Sequence, residues 1–315
     1  LIMEKVYRGK VRPTFEKNAL LRGLYGWSPT RKLLHKVAGK KIKELFGGRM
    51  RLFAIGGAKF DTEAERFLKE AGFPYGIGYG LTETAPLLAG AVGNMVRLGS
   101  TGPALEGVEL RLDNVNASTG QGEIVAKTPC CMSGYYKNEE ATRDAFTEDG
   151  WFRTGDLGYI APDGWIFIKG RLKNMIVGPS GENIYPEDIE QVINSNPIVA
   201  ESVVTEENGK LVALVHFDMA AIEARYEEFK KIVSGSTEQI GQKYAASKEQ
   251  LEQKMEEIKR ELVTYVNSKV NRFSQITKVI DNGCEFEKTP TKKIRRFVYE
   301  QRAKNGFVPD SNLAL

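Results

Sequence analysis

The stretch Gly78-Tyr79-Gly80-Leu81-Thr82-Glu83-Thr84-Ala85-Pro86 sets an aromatic ring, a hydroxyl and a carboxylate within five residues. A nucleotide would use all three: a ring face for the base, a hydroxyl for a phosphate oxygen, and a carboxylate for the metal that accompanies phosphates. The same residues also read as a strand end and turn with a helix beginning at Thr82, and alone they fit this plainer reading better. A second glycine pair, Gly56-Gly57, closes the short apolar run from Leu52 to Ile55.

The elements that would position these groups lie between residues 51 and 80. An apolar strand ends at Gly56-Gly57, and a helix follows with Asp61 as N-cap, carboxylates in its first turn and Gly72 as its stop. A second strand ends in Gly78-Tyr79-Gly80. In a strand, helix, strand unit, ligands collect at the carboxyl ends of the strands, where both glycine segments fall. Residues 1 to 50 are basic and read as helical, with Leu33, Leu34, Val37, Ile42, Leu45 and Phe46 at roughly helical intervals. From Val92 to Gly170 the texture is short β segments, including a hairpin turning at Pro162-Asp163-Gly164. Beyond Arg171 a second α/β unit begins. It has a helix opening at Pro186 with Ile189, Val192 and Ile193 on one face, and a hairpin turning at Asn208-Gly209. Residues 220 to 270 read as an antiparallel helical pair with solvated charged faces. Ile222, Tyr226 and Phe229 line the first helix, residues 234 to 236 break it, and Leu251, Met255, Ile258, Leu262 and Val266 line the second.

Composition narrows the function. Among 315 residues, 41% are hydrophobic and 27% charged, the ordinary mixture of a globular protein. Lysines and arginines are matched almost one for one by acids, leaving a net charge of +4 and no basic arm for nucleic acid. Cys130, Cys131 and Cys284 have neither metal-ligand spacing nor the even count of a disulfide framework, which fits a reducing cytosol. No apolar run approaches the ~20 residues needed to span a bilayer.

Four separated stretches, taken together, resemble one family, the adenylate-forming enzymes that include acyl-CoA synthetases, luciferases and peptide-synthetase adenylation domains. "GYGLTETAP" is similar to the family's adenine and metal motif, and "GWFRTGDLG" to its ribose motif. "GRLKNMIVGPSGENIYPEDIE" resembles its interdomain hinge and the start of its mobile domain, and "EKTPTKKIRR" its C-terminal lysine motif. They stand in the family's order, and independent chance matches multiply. Within the family the resemblance is to long-chain fatty-acid–CoA ligases, through "KIKELFGGRMRLFAIGGAKF", "TGPALEGVELRL" and "SGYYKNEEATRDAFTEDGWFRTGDLG". Lys292 stands where most other branches carry Gly.

The resemblance implies a fold and an activity. The fold is mixed α/β: residues 1–170 as the C-terminal part of the large AMP-binding domain, and 171–315 as a small mobile domain with a helical insertion at about 220–270. The activity is two-step, with a fatty carboxylate attacking the α-phosphate of ATP and coenzyme A thiol then displacing AMP. Tyr79 would stack on adenine, with Gly78 beside it and Gly80 allowing close approach; Glu83 would hold Mg2+ and Thr82 touch the α-phosphate. Asp156 would accept from the ribose diol and Arg171 reach the same sugar, while Gly56, Gly57 and Ala58 would wall the adenine and acyl pocket. Lys293 would bridge the carboxylate and the α-phosphate, Lys173 would be the hinge, and Gly181 would line the pantetheine tunnel. Each has a plainer reading, as a core aromatic, a turn or a solvated surface charge.

The family's Ser/Thr/Gly-rich phosphate loop has no counterpart in residues 1 to 77, and the chain opens on Leu1-Ile-Met. These two features lead to the expectation of a C-terminal half whose N-terminal half belongs to the same enzyme, inactive alone. The expected setting is cytoplasmic, with peripheral membrane contact open. The alternative is a truncated, non-catalytic paralogue that binds nucleotide or a partner.

Overall fold

The computed structural model describes residues 2–16, 19–57, 59–226, 242–289 and 293–304. It is a mixed α/β structure with several sheets, divided into two compact units, Leu1–Lys173 and Asn174–Leu315.

The first unit opens with helices α1 (Ile2–Val6), α2 (Arg12–Glu16), α3 (Ala19–Gly26) and α4 (Ser28–Leu45), with a π-helical turn between α1 and α2. On α4 the buried positions are His35, Gly39 and Ile42. Leu33, Val37 and Leu45, expected among the face-forming residues, are exposed. The reason is lateral packing: Gly39 lies so near Ala71 that a Cβ there would come within 2.7 Å, and this contact fixes which side of α4 turns inward. His35 completes the seam, its ring 2.9 Å from the Tyr25 hydroxyl at Nε2 and 2.9 Å from Glu70 at Nδ1.

Strand β1 (Phe53–Ile55) leads to α5 (Thr62–Ala71), β2 (Tyr75–Gly80) and β3 (Leu87–Val92). The Asp61 side chain accepts from Ala64 N at 2.7 Å and caps α5, and Gly72 ends it in the left-handed region at φ 64°. Such a cap contributes about 1 kcal/mol. β1 and β2 run parallel, joined by α5 as expected, and β3 adds antiparallel to β2. An antiparallel five-stranded sheet follows in the order β4 (Gly102–Pro103), β8 (Trp165–Arg171), β7 (Phe152–Ile160), β6 (Gly122–Lys127) and β5 (Glu109–Asp113). A short helix, α6 (Glu139–Asp144), precedes β7. Tyr79, Leu88 and Ala89 pack with Ile124, Ala126 and Ile166, joining the two sheets through one core.

The second unit begins with a small hairpin, β9 (Ile176–Val177) and β10 (Asn183–Ile184), then α7 (Pro186–Asn194). Strands β11 (Val199–Glu207), β12 (Lys210–Phe217) and β13 (Lys278–Asp281) form its sheet. Asn208 and Gly209 both take positive φ, 52° and 75°, as a two-residue hairpin turn requires. Helices α8 (Met219–Arg225) and α9 (Gln242–Asn267) follow β12, and α10 (Arg296–Lys304) closes the described chain. Ile222, Ile258, Leu262 and Val266 are buried in one core with Ile189, Ile193 and the sheet residues Ala213, Val215 and Phe217. The apolar stripe expected on α9 thus packs against a sheet face. Phe229 and the break at 234–236 lie outside the described residues. Val203, Leu214, Phe286 and Tyr299 form a second cluster on the other side of β11 and β12. Strands buried on both faces read as unbroken apolar runs, which is the pattern from Leu211 to Val215.

Candidate functional site

The chain reverses between β2 and β3 over very little space. A Cβ on Gly80 would lie 1.6 Å from the Pro86 carbonyl oxygen, and one on Gly78 would lie 2.8 Å from Leu87 Cδ2. Gly80 was expected to make room for a ligand. The structure shows that it also makes room for the chain's own return, because Gly80 pairs with Leu87 across the reversal. Residues Thr82–Thr84 form one 3₁₀ turn rather than a longer helix, ended by Ala85 in the left-handed region at φ 57°. The buried Thr84 hydroxyl holds this turn, 3.0 Å from the Leu81 carbonyl and 3.1 Å from that of Pro86.

Exposed Thr82 and half-buried Glu83 stand at the tip of the turn. Glu83 is tied down from another segment: Met132 N donates to its carbonyl at 2.7 Å, and the Tyr135 hydroxyl donates to its Oε1 at 3.0 Å. Burial, then the adjacent carboxylate, pushes the Tyr135 phenol up. Among the described residues no cluster of three metal-ligating side chains occurs. A single partly exposed carboxylate beside an exposed hydroxyl still suits Mg2+, a hard cation that takes one or two carboxylates and completes its shell with phosphate oxygens and water.

Tyr79, Asp156 and Arg171 meet. The Tyr79 hydroxyl donates to Asp156 Oδ2 at 2.8 Å, and Arg171 Nε lies 2.8 Å from Asp156 Oδ1. β7 and β8 place Asp156 directly opposite Arg171 in register. Arg171 also donates to the Thr154 carbonyl at 3.0 Å, and the Thr154 hydroxyl accepts from Asp156 N at 3.1 Å. Tyr79 is 9% exposed and packs in one core with Leu88, Ala89 and Ile166. Its role here is to anchor Asp156. Burial, reinforced by the Asp156 charge, holds its phenol well above the ordinary value of 10. Asp156 is itself 5% exposed. Both of its oxygens serve protein donors, although a carboxylate offers about four acceptor sites in all.

The remaining expected residues divide between the units. Gly56 follows β1, and a Cβ there would come within 3.2 Å of the Gly78 carbonyl. Gly57 takes φ 82° with open space where its Cβ would be. Ala58 lies outside the described residues. Lys173 is exposed in a 3₁₀ turn, Leu172–Asn174, where the two compact units divide. Gly181 turns the β9–β10 hairpin at φ 83°, its N–H donating to the Gly178 carbonyl at 2.9 Å. Lys293 is exposed at the base of a loop in which Thr289 N donates to the Lys293 carbonyl at 2.8 Å. Lys292 falls outside the described residues. Tyr135 and Thr154 went unrecognised in the sequence, since neither follows a periodic pattern.

The family described as "AMP-binding enzyme" matches residues 19–136, and the chain belongs to these adenylate-forming enzymes.

Among curated relatives, a long-chain-fatty-acid–CoA ligase of Mycobacterium bovis is 30% identical over 264 residues, covering 84% of this chain and 42% of that protein. Long chain acyl-CoA synthetase 1 of Arabidopsis thaliana is 37% identical over 210 residues, 63% of this chain and 32% of its own length. The chain thus spans less than half the length of these relatives. Among solved structures, O-succinylbenzoate coenzyme A synthetase from Bacillus subtilis, in complex with AMP, superposes with a TM-score of 0.62 at 23% identity, over 83% of this chain and 49% of that one. That likeness is one of fold.

Proposed function

We propose that this chain is the C-terminal part of an ATP-dependent long-chain fatty-acid–CoA ligase, which forms an acyl-adenylate and then acyl-CoA, releasing pyrophosphate and AMP. The observation that carries the reading is the convergence of Tyr79, Asp156 and Arg171 at the end of the strand that continues into Thr82 and Glu83. Residues 1–170 are the end of the large AMP-binding domain, and 171–315 are a small domain turning about Lys173. The division between compact units after Lys173 supports that boundary. The fatty-acid assignment is supported by the ligase relatives at 30% and 37% identity.

Asp156 and Arg171 orient the ribose of ATP. Glu83 would hold Mg2+, which neutralises phosphate charge when bound. Thr82 donates to the α-phosphate, and Gly57 opens the wall beside it. Exposed Lys293 supplies the cation where two negative groups, carboxylate and α-phosphate, are brought together; removing such a donor costs on the order of 100- to 1000-fold in rate. Gly181 borders the path of the coenzyme A thiol.

The test uses the longer protein that joins this chain to its N-terminal half. Lys293→Ala should lower palmitate-dependent ATP–pyrophosphate exchange on that scale while sparing thioester formation from pre-made acyl-adenylate. Equal losses in both steps would reduce Lys293 to a structural role and withdraw its assignment.

A further inference from the structure

Unit 2 holds a buried ionic link that the two-step reaction does not itself require. Glu190 on α7 is 8% exposed and faces Arg296, the first residue of α10. The Arg296 guanidinium donates to Glu190 Oε2 and, at 3.4 Å, to the Val204 carbonyl; Glu190 Oε1 accepts from Val204 N at 2.6 Å. Arg296 lies three residues beyond Lys293. The other leg of the Lys293 loop is also tied to β11, through Lys288 Nζ and Glu201 Oε1 at 2.7 Å. The legs bridge each other at Lys288 and Ile294, with Arg295 N donating to the Glu287 carbonyl at 2.9 Å.

One helical turn before Glu190, Glu187 Oε1 accepts from Asn174 Nδ2 at 2.6 Å, and its Oε2 is buried without a hydrogen-bond partner. Asn174 directly follows Lys173. Residues three apart share a helix face, so one face of α7 grips the chain just past the hinge with Glu187 and the base of the lysine loop with Glu190.

We propose that Glu187 and Glu190 are positioning residues that make α7 a rigid spacer between the hinge and the Lys293 loop. Lys293 then keeps a fixed distance from Asn174 however the unit is turned. The catalytic meaning rests on the reading of Lys293 above; the mechanical claim does not.

Amide hydrogen exchange on the 315-residue chain, without nucleotide, tests it. Arg296→Met should speed exchange of the Thr289, Lys293 and Arg295 amides about 10- to 100-fold, as expected for loss of a charge-assisted hydrogen bond, and leave the β11–β12 ladder protected. Glu187→Ala should loosen residues 174–177 instead, and Arg296→Lys should recover part of the loop protection. Should Arg296→Met fail to fold because Glu190 is left buried and unpaired, the paired variant Glu190→Gln/Arg296→Met serves the same purpose with no stranded charge. Loop amides as slow as in the native chain, or uniform loosening across unit 2, would overturn the proposal. Because no nucleotide is present, failure here is separable from failure of the Lys293 half-reaction assay.

Discussion

Replacing Gly80 with alanine tests whether this glycine serves a ligand or the chain. The added Cβ would lie 1.6 Å from the Pro86 carbonyl oxygen, whereas real Cβ contacts essentially never fall below 3.0 Å, so the β2–β3 reversal must open by about 1.4 Å. The obstacle is backbone, and no rotamer change relieves it. Overpacking of this kind costs about 1–3 kcal/mol, and more where backbone hydrogen bonds break as well. We expect about 3–5 kcal/mol, or roughly 6–20 °C in melting temperature for a unit of this size. Trp27, Trp151 and Trp165 all lie in the first unit, so tryptophan fluorescence follows its unfolding without interference from the second. Gly57→Ala is the control: with φ at 82° and open space around its Cβ, it should lose only the left-handed backbone penalty of about 1–2 kcal/mol. A Gly80→Ala protein melting no lower than Gly57→Ala would refute the steric account and return Gly80 to a ligand-facing role.

Other outcomes follow from the same geometry. Tyr79→Phe should destabilise the first unit by about 1.5–3 kcal/mol, the range for hydrogen bonds to charged groups, because Asp156 loses its buried donor; a urea midpoint equal to the native one would contradict this. Burial raises the phenol pKa values of Tyr7, Tyr75 and Tyr79 above their ordinary value of 10. The folded state therefore keeps protons that the unfolded chain releases, and the resulting stability is full below pH 10 and falls as pH rises beyond it. Each phenol should add up to about 1.4 kcal/mol per pH unit to that slope, and Tyr79→Phe should remove one such contribution in urea titrations between pH 9 and 11. Limited proteolysis should make its first cut near exposed Lys173, between the compact units; early cuts spread through both would argue against a hinge there. The 315-residue chain, supplied with palmitate, ATP and coenzyme A, should form no acyl-CoA, whereas turnover at the ~1–1000 per second of typical enzymes would sink the C-terminal-part reading.

What the sequence determined was whatever is satisfied within a few residues. Asp61 caps α5 through an amide three positions away, Gly72 stops it, and Asn208-Gly209 turns a hairpin, because each interaction closes inside its own segment. The motifs were legible for the same reason, and with them the family. Tertiary structure decided what depends on distant partners. Tyr79 became a buried anchor because Asp156, 77 positions later, receives its hydroxyl, and α4 turned His35 inward rather than Leu33 because Gly39 meets Ala71. Glu190 and Arg296 look like solvated charges in their own segments. Only folding, across 106 positions, removes them from water and leaves each as the other's compensation.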